Sequence, residues 1–329
     1  MTNRAIAVLG AGAWGTTLAH ILADTVDVTL WALEPEVTAS INNARANPLF
    51  LPGIALSPRI RATSNLDDLA AIDLWLVVAP AQFVGAVLRD APHGHQPTLI
   101  LCSKGIEAGS HRLMVEVAAD AAPGCPLAVL SGPSFAAETA RGLPTAVTLA
   151  ASSLDAAAAL AERLARRHFR PYASDDVPGC EIGGAVKNVL AIACGVVIGA
   201  GLGENARAAV IARGFAEMTR FGVARGGRAE TLAGLSGLGD LVLTCGSTQS
   251  RNMSLGIALG QGQTASQALS GKRSIAEGAA TAPVLLQAAA AVGVDMPIAR
   301  AVAELLAGEA TVAEIIERLL NRPLKAELD

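Results

Sequence analysis

This chain has 329 residues and a net charge of −4, and its composition excludes several classes of protein. Hydrophobic residues make up 52% of it and charged residues only 16%, so disorder is excluded for most of its length. The negative charge and the lack of any dense Lys/Arg run argue against a nucleic-acid partner or binding to an anionic membrane. The length is more typical of two domains than of one.

The first half of the chain alternates short β-rich runs with helical stretches. Strands are predicted at residues 5–9, 26–32, 60–63, 74–79, 98–102, 127–130 and 146–150, and the last strand signal lies at 169–172. Helices are predicted between them at residues 16–23, 83–89 and 111–119, and residues 47–58 predict an irregular loop with three prolines and a glycine. This alternation is typical of a doubly wound, Rossmann-like α/β domain with a parallel sheet.

From about residue 181 the hydrophobic periodicity is helical. Helices are predicted at residues 206–219, 281–291, 298–306 and 312–320, separated by glycine clusters. Residues 189–202 carry no charge, but this stretch is shorter than the roughly 20 residues that span a bilayer, so we expect a buried helix and no membrane span. The prediction is a dinucleotide-binding Rossmann domain of residues 1–180 and an all-helical, substrate-binding domain of residues 181–329. The apolar helices of the second half of the chain favour a homodimer.

Cysteine usage and the N-terminus indicate a cytoplasmic protein. The five cysteines are widely spaced, and none of them pairs at a metal-ligand or redox spacing. We expect small buried thiols in a reducing compartment at Cys102, Cys125, Cys180, Cys194 and Cys245. A strand-like run and a glycine loop begin within about five residues of Met1, so no secretion signal is predicted.

The remaining motifs do not predict a metalloenzyme or a hydrolase. His93-Gly94-His95 offers two possible metal ligands, but beside Pro92 it is more typical of a solvated turn. No cluster of cysteine, histidine and carboxylate side chains predicts a catalytic metal. The Gly-x-Ser-x-Gly elbow of α/β-hydrolases is absent from the sequence.

A glycine motif follows the first predicted strand and opens a helix. Its residues are Gly10, Ala11, Gly12, Ala13, Trp14 and Gly15, in the G-x-G-x-x-G arrangement of dinucleotide-binding loops. The first glycine permits a tight turn, the second lets the backbone approach a pyrophosphate, and the third allows close packing of helix and sheet. The helix N-terminus adds positive partial charge. A glycine-rich turn in another kind of α/β domain is the alternative, but the surrounding strand and helix favour a dinucleotide.

The residue after the second strand bears on the choice between NAD and NADP. Glu34 lies near the position where an acidic side chain binds a free ribose hydroxyl. The preceding residue, Leu33, is not a basic residue that could bind a 2′-phosphate. NAD is therefore favoured, and NADP remains an alternative.

Lysine is scarce, with four residues against 21 arginines, and two of them lie in apolar, glycine-rich strings. They are Lys104 and Lys187. An ammonium group at Lys187, just before the apolar residues 189–192, would need a partner if buried. Burial also lowers the pKa of lysine into a range useful for proton transfer. Lys187 is thus a catalytic candidate, and the alternative is a surface lysine that snorkels off a helix.

Several motifs in one order resemble those of a known enzyme family. They are Gly10-Ala-Gly-Ala-Trp-Gly-Thr, Ser103-Lys-Gly-Ile-Glu, Ser131-Gly-Pro-Ser-Phe-Ala, Gly183-Gly-Ala-Val-Lys-Asn, Gly237-Leu-Gly-Asp-Leu, Gln249-Ser-Arg-Asn and Glu277-Gly. The chain resembles the bacterial NAD(P)-dependent sn-glycerol-3-phosphate dehydrogenases essentially from end to end. Such enzymes interconvert glycerol 3-phosphate and dihydroxyacetone phosphate. The resemblance implies hydride transfer to or from a nicotinamide, in the supply of phospholipid precursors.

The resemblance also implies roles for individual residues. Lys187, expected near the start of the first helix of the second domain, is implied to be the acid–base residue that protonates the carbonyl oxygen. Lys104 follows a parallel strand, where ligands bind, and is implied to contact substrate and cofactor. Asp240 and Thr244 share a face if their segment is helical, so we expect Asp240 to hold and orient Lys187. The resemblance also implies that Asp240 is a substrate-site residue. The alternative for Asp240 is a solvated helix cap.

Ser250, Arg251 and Asn252 offer a guanidinium fork and two polar groups suited to a phosphate dianion, with a surface arginine as the alternative. Gly132 and Ser134 are implied to contact the substrate. The further cofactor contacts that the resemblance implies are Ala136, Arg251, Ile275 and Glu277.

Two departures from the family pattern matter. Leu33 stands where many members carry a basic or imidazole side chain, which argues against a preference for NADP. Ser134 replaces a threonine and keeps the hydroxyl. Two alternatives remain: a related Rossmann reductase of another small acid, such as ketopantoate or a hydroxyacid, and a dinucleotide sensor without catalytic activity. The two lysines and Asp240 argue against the sensor.

Overall fold

The computed structural model describes residues 5–270 and 276–321. Its strands are β1 (Ile6–Leu9), β2 (Val28–Trp31), β3 (Ile60–Thr63), β4 (Leu74–Val77), β5 (Thr98–Leu101), β6 (Leu127–Ser131), β7 (Thr145–Ala151) and β8 (Phe169–Ser174). They form one sheet in the order β3-β2-β1-β4-β5-β6-β7-β8. The predicted doubly wound α/β fold is therefore confirmed, with strand ends shifted by no more than about two residues.

One strand pair differs from the predicted parallel sheet. β7 runs antiparallel to β6, whereas every other neighbouring pair is parallel. The connection between them contains only the short helix Ala136–Ala140. A parallel crossover needs a connection that returns along the full strand length, and this segment is too short to provide it.

Six α-helices accompany the strands among the described residues. They are α1 (Ala13–Leu22), α2 (Pro35–Ala44), α3 (Val84–Asp90), α4 (Met114–Ala121), α5 (Ala136–Ala140) and α6 (Leu154–Leu164). The sequence pattern did not predict α2, α5 and α6. It also placed the start of α4 too early: His111 has a left-handed φ of 58°, and Leu113 is the extended residue that precedes the helix.

Helices cover both faces of the sheet because the strands are apolar on both sides. In β1, Ile6 and Val8 pack into one core with Leu18 of α1. The alternate residues Ala7 and Leu9 pack into a second core with Val84 of α3. Strands that are buried on both faces have continuous hydrophobic sequences. The hydrophobic pattern therefore predicts the ends of these strands closely.

From α7 onward all regular elements in the described residues are helices. They are α7 (Val177–Gly199), α8 (Gly203–Ala224), α9 (Ala229–Leu232), α10 (Asp240–Cys245), α11 (Arg251–Gly260), α12 (Ala265–Leu269), α13 (Glu277–Ala291), α14 (Pro297–Ala307) and α15 (Val312–Leu320). The predicted helical half is confirmed. A single apolar core joins these helices, and α7 supplies a large share of it.

Helix α7 is the one helix in the described part of the chain that is long and apolar enough to cross a membrane. Its most apolar window has a mean hydropathy of 1.8, and 89% of that window is buried inside the protein. Central helices of globular proteins have the same length and composition. Here the apolar surface of α7 is covered by its neighbours in the fold.

Glycines bring α7 and α11 into backbone contact. A Cβ atom at Gly256 would lie 2.0 Å from the carbonyl oxygen of Ile192 and 2.8 Å from the Cα atom of Gly195. One turn further along, a Cβ atom at Gly260 would lie 2.4 Å from the carbonyl oxygen of Val196. Only glycine fits at such contacts, so these two residues allow α11 to pack closely against α7.

We expect Gly256→Ala to lower the free energy of unfolding by about 2 kcal/mol, because the added methyl group forces α7 and α11 apart. Urea denaturation of the purified protein measures this. Gly94→Ala is the matched control, because a Cβ atom at Gly94 meets nothing within 4 Å. We expect that control to stay within about 0.5 kcal/mol of the parent. Equal stability of both variants would contradict the packing argument.

Candidate active site

Lys104 and Lys187 meet on one carboxylate. Lys104 Nζ lies 2.7 Å from Asp240 Oδ2, and Lys187 Nζ lies 2.6 Å from Asp240 Oδ1. Lys104 follows the carboxyl end of β5, as expected, and Asp240 opens α10. Lys187 lies in the middle of α7, so the expected position near a helix start is wrong. The fold brings the two lysines together from segments far apart in the chain.

Thr244 completes this cluster. Its hydroxyl accepts a hydrogen bond from Lys187 Nζ at 3.0 Å and donates to Asp240 Oδ1 at 3.3 Å. The predicted helical spacing of Asp240 and Thr244 is confirmed, since both lie in α10. A π-helical turn, Leu235–Gly239, leads directly into Asp240. Such turns often occur at functional sites because they redirect the side chains that follow.

Burial makes the cluster electrostatically sensitive. Asp240 is 1% exposed and Lys187 is 8% exposed. Burial lowers the pKa of Lys187 to about 8; Asp240 opposes this shift and the neighbouring Lys104 cation adds to it. For Lys104 burial also acts to lower the pKa, but the charge and hydrogen bond of Asp240 outweigh it and raise the pKa above its usual value. The two lysines lower the pKa of Asp240 despite its burial.

The two lysines therefore have different properties although they share a partner. Lys104 remains a fixed cation, because its pKa is raised. Lys187 can gain or lose a proton near physiological pH, which is the property that a general acid–base requires. Two ammonium groups on one carboxylate also leave net positive charge, which favours an anionic ligand.

Two glycines allow α7 to lie close to its neighbours, Gly184 to the sheet and Gly183 to the π-helical turn. A Cβ atom at Gly184 would lie 2.7 Å from Ser131 Oγ and 3.3 Å from Cγ of Lys104. A Cβ atom at Gly183 would lie 2.4 Å from the carbonyl oxygen of Ser236. Any larger side chain would push Lys187 away from Asp240, so these glycines position the catalytic candidate.

The glycine loop after β1 has the shape that a dinucleotide pyrophosphate requires. Gly10 has a φ of 117°, and a Cβ atom at Gly15 would lie 1.8 Å from the carbonyl oxygen of Gly10. Gly12, which caps α1, has nothing within 4 Å of the position of a Cβ atom, so the space before the helix is open. The first N–H groups of a helix have no partner within it and suit an anion.

Asn47 supports this loop and was not predicted from the sequence. Its amide donates to the carbonyl oxygen of Ala11 at 2.9 Å and to the hydroxyl of Thr16 at 2.8 Å. Thr16 also donates to Ala11, at 3.0 Å. Asn47 is fully buried although it belongs to the predicted irregular loop. A single polar residue in a proline-rich stretch gave no signal of this role.

Four more residues expected at the cofactor lie in the segments that follow β1 and β2. Ala13 and Trp14 begin α1, and the ring of Trp14 lies 6.4 Å from that of Phe169. Glu34 caps α2 just after β2, and the side chain of Leu33 beside it is 71% exposed. This position is where an adenosine ribose lies in Rossmann domains.

The loop after β6 borders the lysine cluster. Lys104 Nζ approaches the carbonyl oxygen of Gly132 at 3.5 Å, and Ser134 Oγ donates to the same oxygen at 3.1 Å. Gly132 has a φ of 150°, and a Cβ atom there would lie 2.8 Å from Cα of Val147. Ala136 follows as the first residue of α5. The predicted residues of this loop thus lie next to Lys104.

All three residues predicted to bind phosphate interact with other groups of the protein. Ser250 Oγ accepts from the backbone N–H of Met253 and caps α11. The amide of Asn252 donates to Asn188 Oδ1 at 3.0 Å and accepts from the N–H of Gly278 at 3.0 Å. Arg251 is exposed at the start of α11. Asn188, next to Lys187 in its motif, is a buried site residue that the sequence analysis did not single out.

Glu277 lies near the cationic groups at the start of α13. Burial raises the pKa of its carboxyl group, and Arg251, Lys104 and Lys187 oppose this shift through their charges. Ile275 was also predicted at the cofactor, and it lies outside the described residues.

Residues 5–270 and 276–321 contain no side-chain cluster suited to a metal ion. No three histidine, cysteine or acidic side chains in these ranges lie close enough together to hold a metal ion. All five cysteines are buried and free, as predicted.

Known proteins resemble this chain along nearly its whole length. Residues 5–157 match the model of the NAD-dependent glycerol-3-phosphate dehydrogenase N-terminus, and residues 176–317 match that of its C-terminus. A glycerol-3-phosphate dehydrogenase (NAD(P)+) of Erythrobacter litoralis is 60% identical, covering 98% of this chain and 97% of that protein. The crystal structure of glycerol-3-phosphate dehydrogenase from Coxiella burnetii matches with a TM-score of 0.91 and 38% identity, covering 97% of this chain and 99% of that one.

The alternative of a ketopantoate reductase receives weaker support. The structure of a ketopantoate reductase from Ralstonia eutropha JMP134 matches with a TM-score of 0.61 and 17% identity, over 96% of this chain and 100% of that one. Similarity at that level is one of fold alone. With both family models matched and relatives of up to 60% identity along the whole length, the chain belongs to the NAD-dependent glycerol-3-phosphate dehydrogenase family.

Proposed function

We propose that the chain catalyses reversible reduction of dihydroxyacetone phosphate to sn-glycerol 3-phosphate, with Lys187 as the acid–base residue. It is an NAD(P)-dependent oxidoreductase of that family. The observation that carries the proposed role is the buried lysine with a pKa near 8, hydrogen-bonded to Asp240 beside a second cation. The open helix N-terminus at Gly12 fits the cofactor pyrophosphate.

The chemistry divides between cofactor and protein. The nicotinamide, when bound, supplies or accepts the hydride. In the direction of reduction, Lys187 Nζ–H donates its proton to the carbonyl oxygen of the substrate, which becomes the hydroxyl group of glycerol 3-phosphate. In oxidation the neutral amine of Lys187 accepts that proton. Asp240 and Thr244 hold Nζ in place, and the fixed charge of Lys104 stabilises negative charge on the substrate.

Arg251 is proposed to bind the phosphate group, together with the N-terminus of α11. The hydroxyl of Ser250 and the amide of Asn252 hold this segment in shape, so we assign them a positioning role alongside the predicted contact with substrate. Gly132 and Ser134 are proposed to contact the substrate from the loop after β6.

We expect Arg251→Ala to raise KM for dihydroxyacetone phosphate about 30-fold and to change kcat much less, since a charge-assisted bond to phosphate acts in both ground and transition state. Steady-state kinetics with saturating NADH measure this. Arg163→Ala is the control, because this exposed arginine of α6 carries the same charge. If KM is unchanged in Arg251→Ala, the phosphate binds elsewhere.

NAD is the proposed preferred cofactor, because Leu33 and Glu34 offer no cation for a 2′-phosphate. The test is to compare kcat/KM for NADH and NADPH with dihydroxyacetone phosphate. We expect a higher value for NADH. No turnover with either cofactor would contradict the proposed activity, and turnover of ketopantoate alone would favour the other reductase class. Binding of the dinucleotide without any turnover would instead indicate a sensor.

We further propose a cytoplasmic homodimer without a membrane span that supplies glycerol 3-phosphate for phospholipid synthesis. The division into residues 1–180 for the cofactor and 181–329 for the substrate belongs to the same proposal. The buried surface of α7 and the free cysteines support a globular protein in a reducing compartment. Light scattering after gel filtration gives the mass that tests the dimer: about twice 33.3 kDa is expected.

A further inference from the structure

A hydrogen bond joins the two sides of the candidate site at its outer edge. The side-chain amide of Gln249 donates to Glu138 Oε1 at 2.9 Å. Glu138 lies on α5, four residues after Ser134, and Gln249 immediately precedes Ser250 and Arg251. The two residues lie 111 positions apart in the chain. Neither takes part in the mechanism described above.

Glu138 is anchored to the helix that follows the glycine loop. The hydroxyl of Thr17, a fully buried residue of α1, donates to the carbonyl oxygen of Ala136 at 3.0 Å. Within α5, the backbone N–H of Glu138 donates to the carbonyl oxygen of Phe135 at 3.1 Å. The backbone that carries Glu138 is therefore anchored to the part of the protein that would carry the cofactor.

Gln249 is anchored to the segment that carries Arg251. Its backbone N–H donates to Ser247 Oγ at 3.2 Å, and the N–H of Ser250 donates to the carbonyl oxygen of Ser247 at 3.1 Å. Ser250 in turn caps α11. A shift of Gln249 would therefore move the turn that leads into Arg251.

We propose that Glu138 and Gln249 are positioning residues that hold the Arg251 segment against the cofactor side of the site. This inference rests on the proposed function, because it concerns binding of the phosphorylated substrate. The bond fixes the distance between the residues that bind the phosphate and the loop that binds the pyrophosphate. Its loss allows the Arg251 segment to sample other positions, so substrate binding weakens while the lysine cluster stays intact.

Two possible roles of Glu138 predict opposite changes in KM when the residue is replaced. One role is repulsion of the substrate by its charge, and the other is positioning through its hydrogen bond. A carboxylate near a site for an anionic substrate repels that substrate, so removing the charge alone lowers KM. Loss of the hydrogen bond raises KM. Glu138→Gln removes the charge but keeps a carbonyl oxygen that accepts from Gln249, whereas Glu138→Ala removes both.

We expect Glu138→Ala to raise KM for dihydroxyacetone phosphate about fivefold at fixed ionic strength, with kcat changed by less than about twofold. Glu138→Gln should stay within about twofold of the parent in both values. Glu162→Ala, at an exposed glutamate of α6, is the charge-matched control and should behave as the parent. A fall in KM for both Glu138 variants would show that Glu138 acts by charge and would overturn the proposal.

Exchange of the two side chains gives a second, independent test. Gln249→Glu places two carboxylates together, and we expect it to raise KM more than Glu138→Ala does. The double variant Glu138→Gln/Gln249→Glu restores an amide–carboxylate pair in reverse, and KM should return to within about threefold of the parent. Failure of the exchange to restore KM overturns the proposal.

The controls separate this inference from the proposed function. If the parent protein does not reduce dihydroxyacetone phosphate, the proposed function fails. If the parent is active and Glu138→Ala leaves KM unchanged, only the positioning role fails. The midpoint of thermal unfolding should be the same in all variants, because an exposed hydrogen bond contributes little to stability.

Discussion

Lys187→Met lowers kcat for reduction of dihydroxyacetone phosphate by about three orders of magnitude, because the variant has no proton to donate to the carbonyl oxygen. Methionine preserves most of the buried volume at a residue that is only 8% exposed. Asp240 still pairs with Lys104 in this variant, so no carboxylate is left buried without a partner. The loss is therefore one of chemistry and not of folding.

Two measurements distinguish these causes. The dissociation constant of NADH, measured by fluorescence titration, should stay within about twofold of the parent value. The reason is that the glycine loop after β1, which is proposed to bind the cofactor, is separate from Lys187. The free energy of unfolding should not fall by more than about 1 kcal/mol. A kcat near that of the parent would remove Lys187 from the mechanism.

Asp240→Asn has the second large effect, because it removes the only carboxylate bonded to both Lys104 and Lys187 in the described residues. Two ammonium groups then repel each other in a buried site, and the pKa of Lys187 falls further. At pH 7 Lys187 loses its proton in the free enzyme, so kcat/KM for reduction falls by at least about 100-fold. We also expect a loss of about 3 kcal/mol in the free energy of unfolding, typical of a broken buried ion pair.

Asp175→Asn is the matched control for this variant. Asp175 pairs with Arg228 at the exposed surface, so its replacement should leave the free energy of unfolding and kcat/KM close to those of the parent. Equal behaviour of the two variants, or normal kcat/KM in Asp240→Asn at pH 7, would contradict the role given to Asp240.

The strands and the helical half could be predicted because their signals are local. Apolar runs such as β1 and β4 are buried on both faces, and each run is sufficient evidence for its own strand. The antiparallel direction of β7 is not a local property. It depends on how the short helix α5 connects it to β6, and hydrophobic periodicity does not record direction.

The shared carboxylate could be predicted only in part. The spacing of Asp240 and Thr244 and the resemblance linked Asp240 to Lys187, but Lys104 comes from another element. Its bond to Asp240 joins residues 136 positions apart, which no sequence pattern encodes. In the same way, a motif shows that Ser250 and Asn252 are polar, but only the fold shows that they bond to Met253, Asn188 and Gly278.

The most direct test of Lys187 as the acid–base is the pH dependence of kcat/KM in both directions, measured between about pH 6.5 and 10. With a pKa near 8, reduction should be constant at low pH and fall about tenfold per pH unit above 8. Oxidation of glycerol 3-phosphate should rise up to the same pH and then level off. Reduction that stays constant through pH 9.5, or a break that persists unchanged in Lys187→Met, would contradict the account.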